Sequence, residues 1–217
     1  MTDQAVSETV KPAELAAHLA ARLCHDFISP ASAIVSGLDL LEDPTAQDMR
    51  EDAMGLIGAS ARKLSDLLEF CRVAFGASAS AETFDTRQLE KLARGVFAHQ
   101  RADLDWQVEA EGVGKPVART LLNLAQMAGA ALPTGGTAKV RAVQEGGQVA
   151  IAVEASGPRA RLRPEVLAGL RGEGAGEGLH GHWVQARYVS LFVGDAGGRV
   201  FADAAEEKVT FAATIPA

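Results

Sequence analysis

His25 is the residue around which chemistry can be built. An imidazole is both a nucleophile and a proton carrier near neutral pH. A carboxylate, Asp26, follows it directly, and a proline, Pro30, stands five residues on. Leu19, Leu23, Phe27, Pro30, Ile34, Gly37 and Leu41 recur in steps of three and four, close to a coiled-coil seam. On a helix advancing about 100° per residue, with Leu23 at zero, these seven fall within about 40° of zero and His25 at about 200°. The histidine therefore faces away from the seam, among Ala21, Ile28, Ser29, Ser32, Val35 and Ser36. Between Arg22 and Asp39 this face carries no charge except Asp26 at its edge. An exposed helix face is ordinarily rich in Lys and Glu. A small, smooth, partly apolar one allows another protein to approach closely at little desolvation cost. The plain alternative is a surface histidine on an Ala/Ser-rich helix. Pro30 weighs against it. An interior proline removes a helix hydrogen bond and costs about 3 kcal/mol, and bending a helix one turn after an exposed imidazole points to use.

The elements that must position His25 read as follows. A helix opens near Pro12 and runs to about Leu41. A second follows Asp43-Pro44, an N-cap with proline at the first helical position, and runs to about Phe75. Its apolar or small positions are Met49, Ala53, Ile57, Ser60, Leu64, Leu67, Cys71 and Phe75. The short connection makes an antiparallel hairpin. A lone hairpin buries little, so a homodimer through residues 12–75, two hairpins making a four-helix bundle, is expected. Gly76–Ala81 is small and weakly structured and reads as a linker. Beyond it the period changes. Asp85-Thr86-Arg87-Gln88 opens a helix to about Ala98. Residues 104–108 alternate as a strand, 115–131 read as a helix ended before Pro133, and 181–194 as another helix. Two hairpins are expected, Thr137–Val143 with Gln148–Glu154 and Arg199–Ala204 with Lys208–Ile215. The whole reads as a helical unit over 12–76 and an α/β sandwich over 82–217, with helices on one face of a mixed sheet.

Composition agrees with two units. Residues 1–78 hold 6 Lys+Arg against 12 Asp+Glu, whereas residues 79–217 hold 15 against 16. The net charge of −7 disfavours nucleic acid as a partner. No apolar run reaches the roughly 18 residues of a membrane span, and the N-terminus lacks the basic and apolar regions of a signal peptide. Cys24 and Cys71 make no disulfide framework, so a cytoplasmic location is expected. Cys24 reads as a small apolar filler rather than as a nucleophile paired with His25.

His25-Asp26-Phe27-Ile28-Ser29-Pro30-Ala31-Ser32-Ala33-Ile34 resembles the H-box of histidine kinases, H-[E/D]-[L/F]-[R/K]-[T/N]-P-x-x-x-I. It departs from that pattern at Ile28 and Ser29. The second unit resembles the ATP-binding domain of the same kinases with damaged motifs. Leu121–Ala128, then Pro133-Thr134-Gly135-Gly136, is similar to LLNLxxNA…P-x-GG, with Met127 where the magnesium-ligating asparagine is expected. A thioether does not replace a hard oxygen ligand. Val153–Arg159 stands at V-x-D-x-G-x-G, with Ala155 for the adenine-reading aspartate and Arg159 for the second glycine. Gly172–Gly178 resembles a phosphate loop, but Glu173 and Glu177 would repel a triphosphate.

An H-box hairpin fused to a degenerate ATPase-like domain, together with Arg22–Asp43 and Gly157–Leu170, resembles the ChpT-type histidine phosphotransferases of alphaproteobacteria. The resemblance implies a dimeric four-helix bundle followed by a degenerate histidine-kinase-ATPase-like α/β sandwich. It implies relay of a phosphoryl group, through His25, from the receiver domain of a CckA-type hybrid kinase to CtrA-type and CpdR-type response regulators that control the cell cycle. No cofactor is expected on this chain, the Mg²⁺ belonging to the receiver. Asp26 would orient the ring or take its proton, or be simply a solvated carboxylate. Arg22 would neutralise phosphate charge, or be simply a surface arginine. Ala21, Arg22, Ile28, Ser29, Ser32 and Val35 would dock the partner. The competing readings are an ATP-dependent histidine kinase, a non-catalytic scaffold, and a metal site at His180-Gly181-His182 that lacks partners at ligand spacing. The Arg159, Arg161 and Arg163 run is either a solvated loop or a contact to a receiver or to the other domain.

The helical phase makes one substitution decisive. Ser32→Glu places charge and bulk on the His25 face, outside the seam. Stability should change by less than about 0.5 kcal/mol, and phosphotransfer from a phosphorylated receiver should slow. Transfer at the wild-type rate would place docking elsewhere, and unfolding would place the phase itself in error.

Overall fold

The structure, a computed structural model, describes residues 10–76, 82–174 and 181–217. Helix α1, Pro12–Glu42, begins with its proline in the first turn and runs unbroken through Pro30. Pro30 has no amide to give the Asp26 carbonyl and is itself buried. The predicted seam faces α2, Arg50–Ala74, with Pro30 and Gly37 buried and the other five seam residues half-buried. Gly37 sets the closest approach of the two helices. A Cβ there would lie 2.6 Å from Ile57 Cγ1 and 3.1 Å from the Ala53 carbonyl.

The connection differs from expectation. Asp43 caps the end of α1, its amide donating to the Asp39 carbonyl, instead of opening α2. Its carboxylate accepts from both the amide and the hydroxyl of Thr45 at 2.7 Å, which holds it below the usual carboxylate range. The Asx turn satisfies the carboxylate two residues on and leaves no cap for a helix starting at Pro44. A 3₁₀ turn, Gln47–Met49, intervenes, so Met49 precedes α2 and is 44% exposed rather than on the seam. Cys24, read as a filler, is also exposed. It belongs to a second apolar stripe, Cys24, Ile28, Val35 and Leu38 on α1 and Met54, Ala61 and Leu68 on α2, that nothing in the chain covers among the described residues. Ile28 and Val35, like Met54, Ala61 and Leu68, stand seven residues apart, the repeat of a helix-packing seam.

The second unit is the expected sandwich. Its elements are α3 Thr86–Phe97, β2 Ala102–Val108, α4 Lys115–Ala130, β4 Gly136–Glu145, β5 Gln148–Ser156, α5 Pro164–Arg171, α6 Gly181–Asp195, β6 Arg199–Ala205 and β7 Lys208–Pro216. Sheet order is β2-β4-β5-β7-β6, with β2 parallel to β4 and the other pairs antiparallel. Alternate residues such as Val140, Ile151, Val153, Phe211 and Ile215 point into the helical layer and are buried. The β4–β5 turn uses Gly146 and Gly147 at φ +60° and +76°, the hairpin conformation that glycine alone adopts freely. Asp85 caps α3, accepting from the Arg87 amide at 2.8 Å. Two features were not foreseen. Short strands β1, Thr83–Asp85, and β3, Gly112–Gly114, pair antiparallel, too short to show a period. Helix α5, eight residues behind an arginine–proline run, shows little more. Of the expected linker only Gly76 is described, Ala77–Ala81 lying outside the described residues.

The hairpin is welded to this sandwich. Phe70 and Ala74 of α2 are buried in one core with Leu89, Leu121 and Leu122. Phe70 lies off the hairpin seam, because what buries it comes from α3 and α4. Beneath it the buried Asn123 amide donates to the carbonyls of Ala74 (3.0 Å) and Arg119 (2.9 Å), and its oxygen accepts from Gln185 at 3.0 Å. Gln185 also donates to Gln126 at 2.7 Å, and Arg119 donates to the Gly76 carbonyl. The end of α2 is thus capped by side chains of α4. Asn123→Ala takes the side-chain donor from the buried Ala74 carbonyl and one of two acceptors from the Gln185 amide, and should cost about 2 kcal/mol. Denaturant unfolding checks this, with the midpoint falling.

Candidate functional site

Helix α1 presents His25 outward, its side chain 88% exposed. Its Nδ1 lies 3.4 Å from Asp26 Oδ1. The second carboxylate oxygen, Oδ2, lies 3.7 Å from Nε of Arg22, one turn earlier. The phase argument placed these three on neighbouring strips of one helix, and there they are. The surface-arginine reading of Arg22 is overturned. Its side chain is only 13% exposed, and Nη1 donates to the Gly181 carbonyl at 2.6 Å. Burial draws its guanidinium below the ordinary arginine value, and Asp26 opposes that shift. Ala21, Ile28, Ser29, Ser32 and Val35 are exposed on the same helix.

Where α1 meets the start of α6, an open cleft of about 380 Å³ forms. The first helix lines it with His18, Arg22, His25 and Asp26, and the second with Gly181 and His182. Burial, with help from the positive charges of Arg22 and Arg163, pushes His182 below its ordinary value, so its neutral form prevails at pH 7. The sequence reading missed both flanking histidines. His18 was within reach, standing at about 220° in the same helical phase, nearly in line with His25. His182 was seen only as half of a His-x-His pair, and no local pattern places it beside a helix some 150 residues earlier. His180 lies outside the described residues, and among those no group of three or more His, Cys, Asp or Glu is placed to hold a metal ion. Cys71 is buried near this end, which pushes its thiol up to about 12 and makes it a poor nucleophile.

The kinase-like nucleotide region has a different character. Met127 and Ala155 are buried in the core. Among the described residues the cavity between α4, α5 and α6 has about 10 Å³, bounded by Met127, Leu162, Arg163, Val166, His182 and Phe211. A nucleotide pocket needs some hundreds of cubic ångströms. Arg159 holds φ +62°, a left-handed backbone at the position where the motif carries glycine, so the loop keeps its shape after losing its residue. Arg159 and Arg161 are exposed, while Arg163 is half-buried at the N-cap of α5. Residues 175–178 of the glycine-rich segment lie outside the described residues.

Residues 86–208 match the family described as the histidine phosphotransferase C-terminal domain. The chain is 34% identical to protein phosphotransferase ChpT of Brucella abortus (strain 2308), over 94% of this chain and 97% of that one. Among solved structures it resembles a bacterial phosphotransferase with a TM-score of 0.85 and 32% identity, covering 95% of this chain and 98% of the other. Full-length ShkA in complex with AMPPNP shares the fold at 19% identity and a TM-score of 0.51, over 95% of this chain and 46% of that one.

Proposed function

We propose how this chain, which belongs to the ChpT-type histidine phosphotransferases, carries phosphoryl groups in two-component signalling: His25 takes them from one receiver domain and gives them to another. The observation that carries the proposal is the outward His25 ring with a carboxylate at its Nδ1. A carboxylate only accepts hydrogen bonds, so Asp26 holds the proton on Nδ1 and leaves Nε2 with a free lone pair. That lone pair attacks the phosphorus of an aspartyl phosphate. An N–P bond forms, the P–O bond to the receiver carboxylate breaks, and the carboxylate leaves with the electron pair. The same step in reverse loads the second receiver. Positioning and electrostatics supply most of the catalysis in such transfers, and the receiver brings the Mg²⁺. Donor and acceptors are read as a CckA-type hybrid kinase and CtrA-type and CpdR-type regulators.

The scaffold and kinase readings are tested together. His25→Ala should abolish phosphoryl acceptance from a phosphorylated receiver with folding intact; label retained at the wild-type level would put the acceptor at another residue, and a wild type that takes up no label would leave a scaffold. Titration calorimetry should detect no ATP binding at millimolar nucleotide, in keeping with the filled region around Met127. A micromolar dissociation constant would revive the kinase.

The working state is read as a homodimer. The stripe of Ile28, Val35, Met54 and Leu68 is the surface a second hairpin would cover to complete a four-helix bundle. Ile28 and Val35 would then be shared between dimer and docking face, and Ala21, Ser29 and Ser32 would remain for the receiver. Met54→Glu with Leu68→Glu should give a folded monomer by light scattering. A dimer that persists would put the interface elsewhere.

A further inference from the structure

We propose that Arg22 is a positioning residue through which the second unit holds Asp26, and through it the His25 ring, in the orientation that takes up the phosphoryl group. The inference rests on the reading of His25 as acceptor. An i,i+4 pair on an open helix is a weak and mobile contact, worth a few tenths of a kcal/mol. What distinguishes this one is its third member. The Nη1 of Arg22 donates at 2.6 Å to Gly181, the first residue of α6 and 159 positions away in the chain. The Nε of the same rigid fork faces Asp26 Oδ2 at 3.7 Å, and Asp26 Oδ1 faces His25 Nδ1 at 3.4 Å. The aliphatic stem lies against the same glycine, at which a Cβ would meet Arg22 Cγ and Cδ at 3.6 and 3.7 Å. With 13% of its side chain exposed, against 88% for His25, Arg22 is packed in place while its neighbour stands in solvent. A guanidinium serves both ends at once because its donors diverge from one plane; an ammonium on a flexible stem serves one or the other. The degenerate domain thereby reaches the phosphoacceptor through a single side chain, with no nucleotide involved.

The rival role is direct: Arg22 as bulk positive charge for the incoming phosphoryl group. Charge alone would survive Arg22→Lys and would leave the His25 tautomer as it is, whereas a positioning role would lose both with the guanidinium. Nitrogen NMR of histidine-labelled protein reads the His25 tautomer without phosphate, and phosphotransfer from a labelled receiver reads the rate. The wild type should show His25 protonated on Nδ1. Both Arg22→Lys and Arg22→Gln keep the packing stem and should keep the melting temperature, yet lose that tautomer preference and transfer about tenfold more slowly. If Arg22 acts through Asp26, Arg22→Gln should add nothing to Asp26→Asn in a double-mutant cycle. Arg22→Lys with the wild-type tautomer and rate, or effects that multiply in the cycle, would overturn the proposal. If Arg22→Gln loses its fold, Arg22→Lys and the cycle built on it decide. The His25→Ala control separates the two failures. Label on that variant sinks the acceptor reading itself, whereas its absence with indifferent Arg22 variants sinks only the positioning role.

Discussion

Arg22, bonded to the Gly181 carbonyl and facing Asp26, is the contact at which the two halves of the chain meet beside His25. A residue that hands a group to another protein has to stand in solvent, and a side chain in solvent turns freely. On the relay reading proposed above, the chain meets both demands by leaving the His25 ring outside and burying what steadies it. Asp26 is partly covered and Arg22 largely so, and behind Arg22 stands the first turn of α6. Exposure therefore rises stepwise from the domain junction to the His25 ring. The cost of desolvating a guanidinium is met by a carbonyl and a carboxylate on its two sides.

That arrangement works only if α6 is fixed relative to α1, and the base of the hairpin sees to this. Phe70 and Ala74 share a core with α3 and α4, and Asn123, Gln126 and Gln185 tie α2, α4 and α6 by hydrogen bonds, of which those of Asn123 to Ala74 and Gln185 are buried and that of Gln185 to Gln126 partly so. Buried amides are costly unless every partner is present, so this network tolerates one arrangement of helices and few others. The nucleotide region fits the same logic. At the position of the kinase-like motif Met127 is buried and, with Phe211, borders a space of about 10 Å³ among the described residues. Close packing there stiffens the layer that carries α6.

The hairpin has two apolar stripes, one used within the chain and one that no described residue covers. The first is closed by Gly37 against Ile57 and Ala53. The second runs through Ile28, Val35, Met54 and Leu68 and borders the His25 face. On the dimer reading, a partner would bring its own helices close to the acceptor, so assembly and docking would compete for neighbouring strips of α1. Small residues at Ala21, Ser29 and Ser32 leave room for both.

Much of this was legible from residue order. The steps between Leu19 and Leu41 fix which side of α1 is wet, because helical phase is a local property that 3.6 residues per turn impose. For the same reason His25 and Asp26, and the exposed Ala21, Ile28, Ser29, Ser32 and Val35, could be placed from phase alone. Helix α3, the two long hairpins and the terminal α6 followed from caps, glycines and alternation, all signals within about ten residues. The start of α2 was misplaced because Asp43 can cap forward or backward, and only its contact with Thr45 decides. The pairing of β1 with β3, the burial of Phe70 and the proximity of His182 to His25 needed the fold. So did the burial of Arg22, since the sequence shows a cation one turn before a histidine but not what covers it. The Gly181 carbonyl belongs to the backbone and leaves no mark in the sequence. Its position beside Arg22 is set by the packing of α6 against α1, a long-range contact that no periodicity encodes.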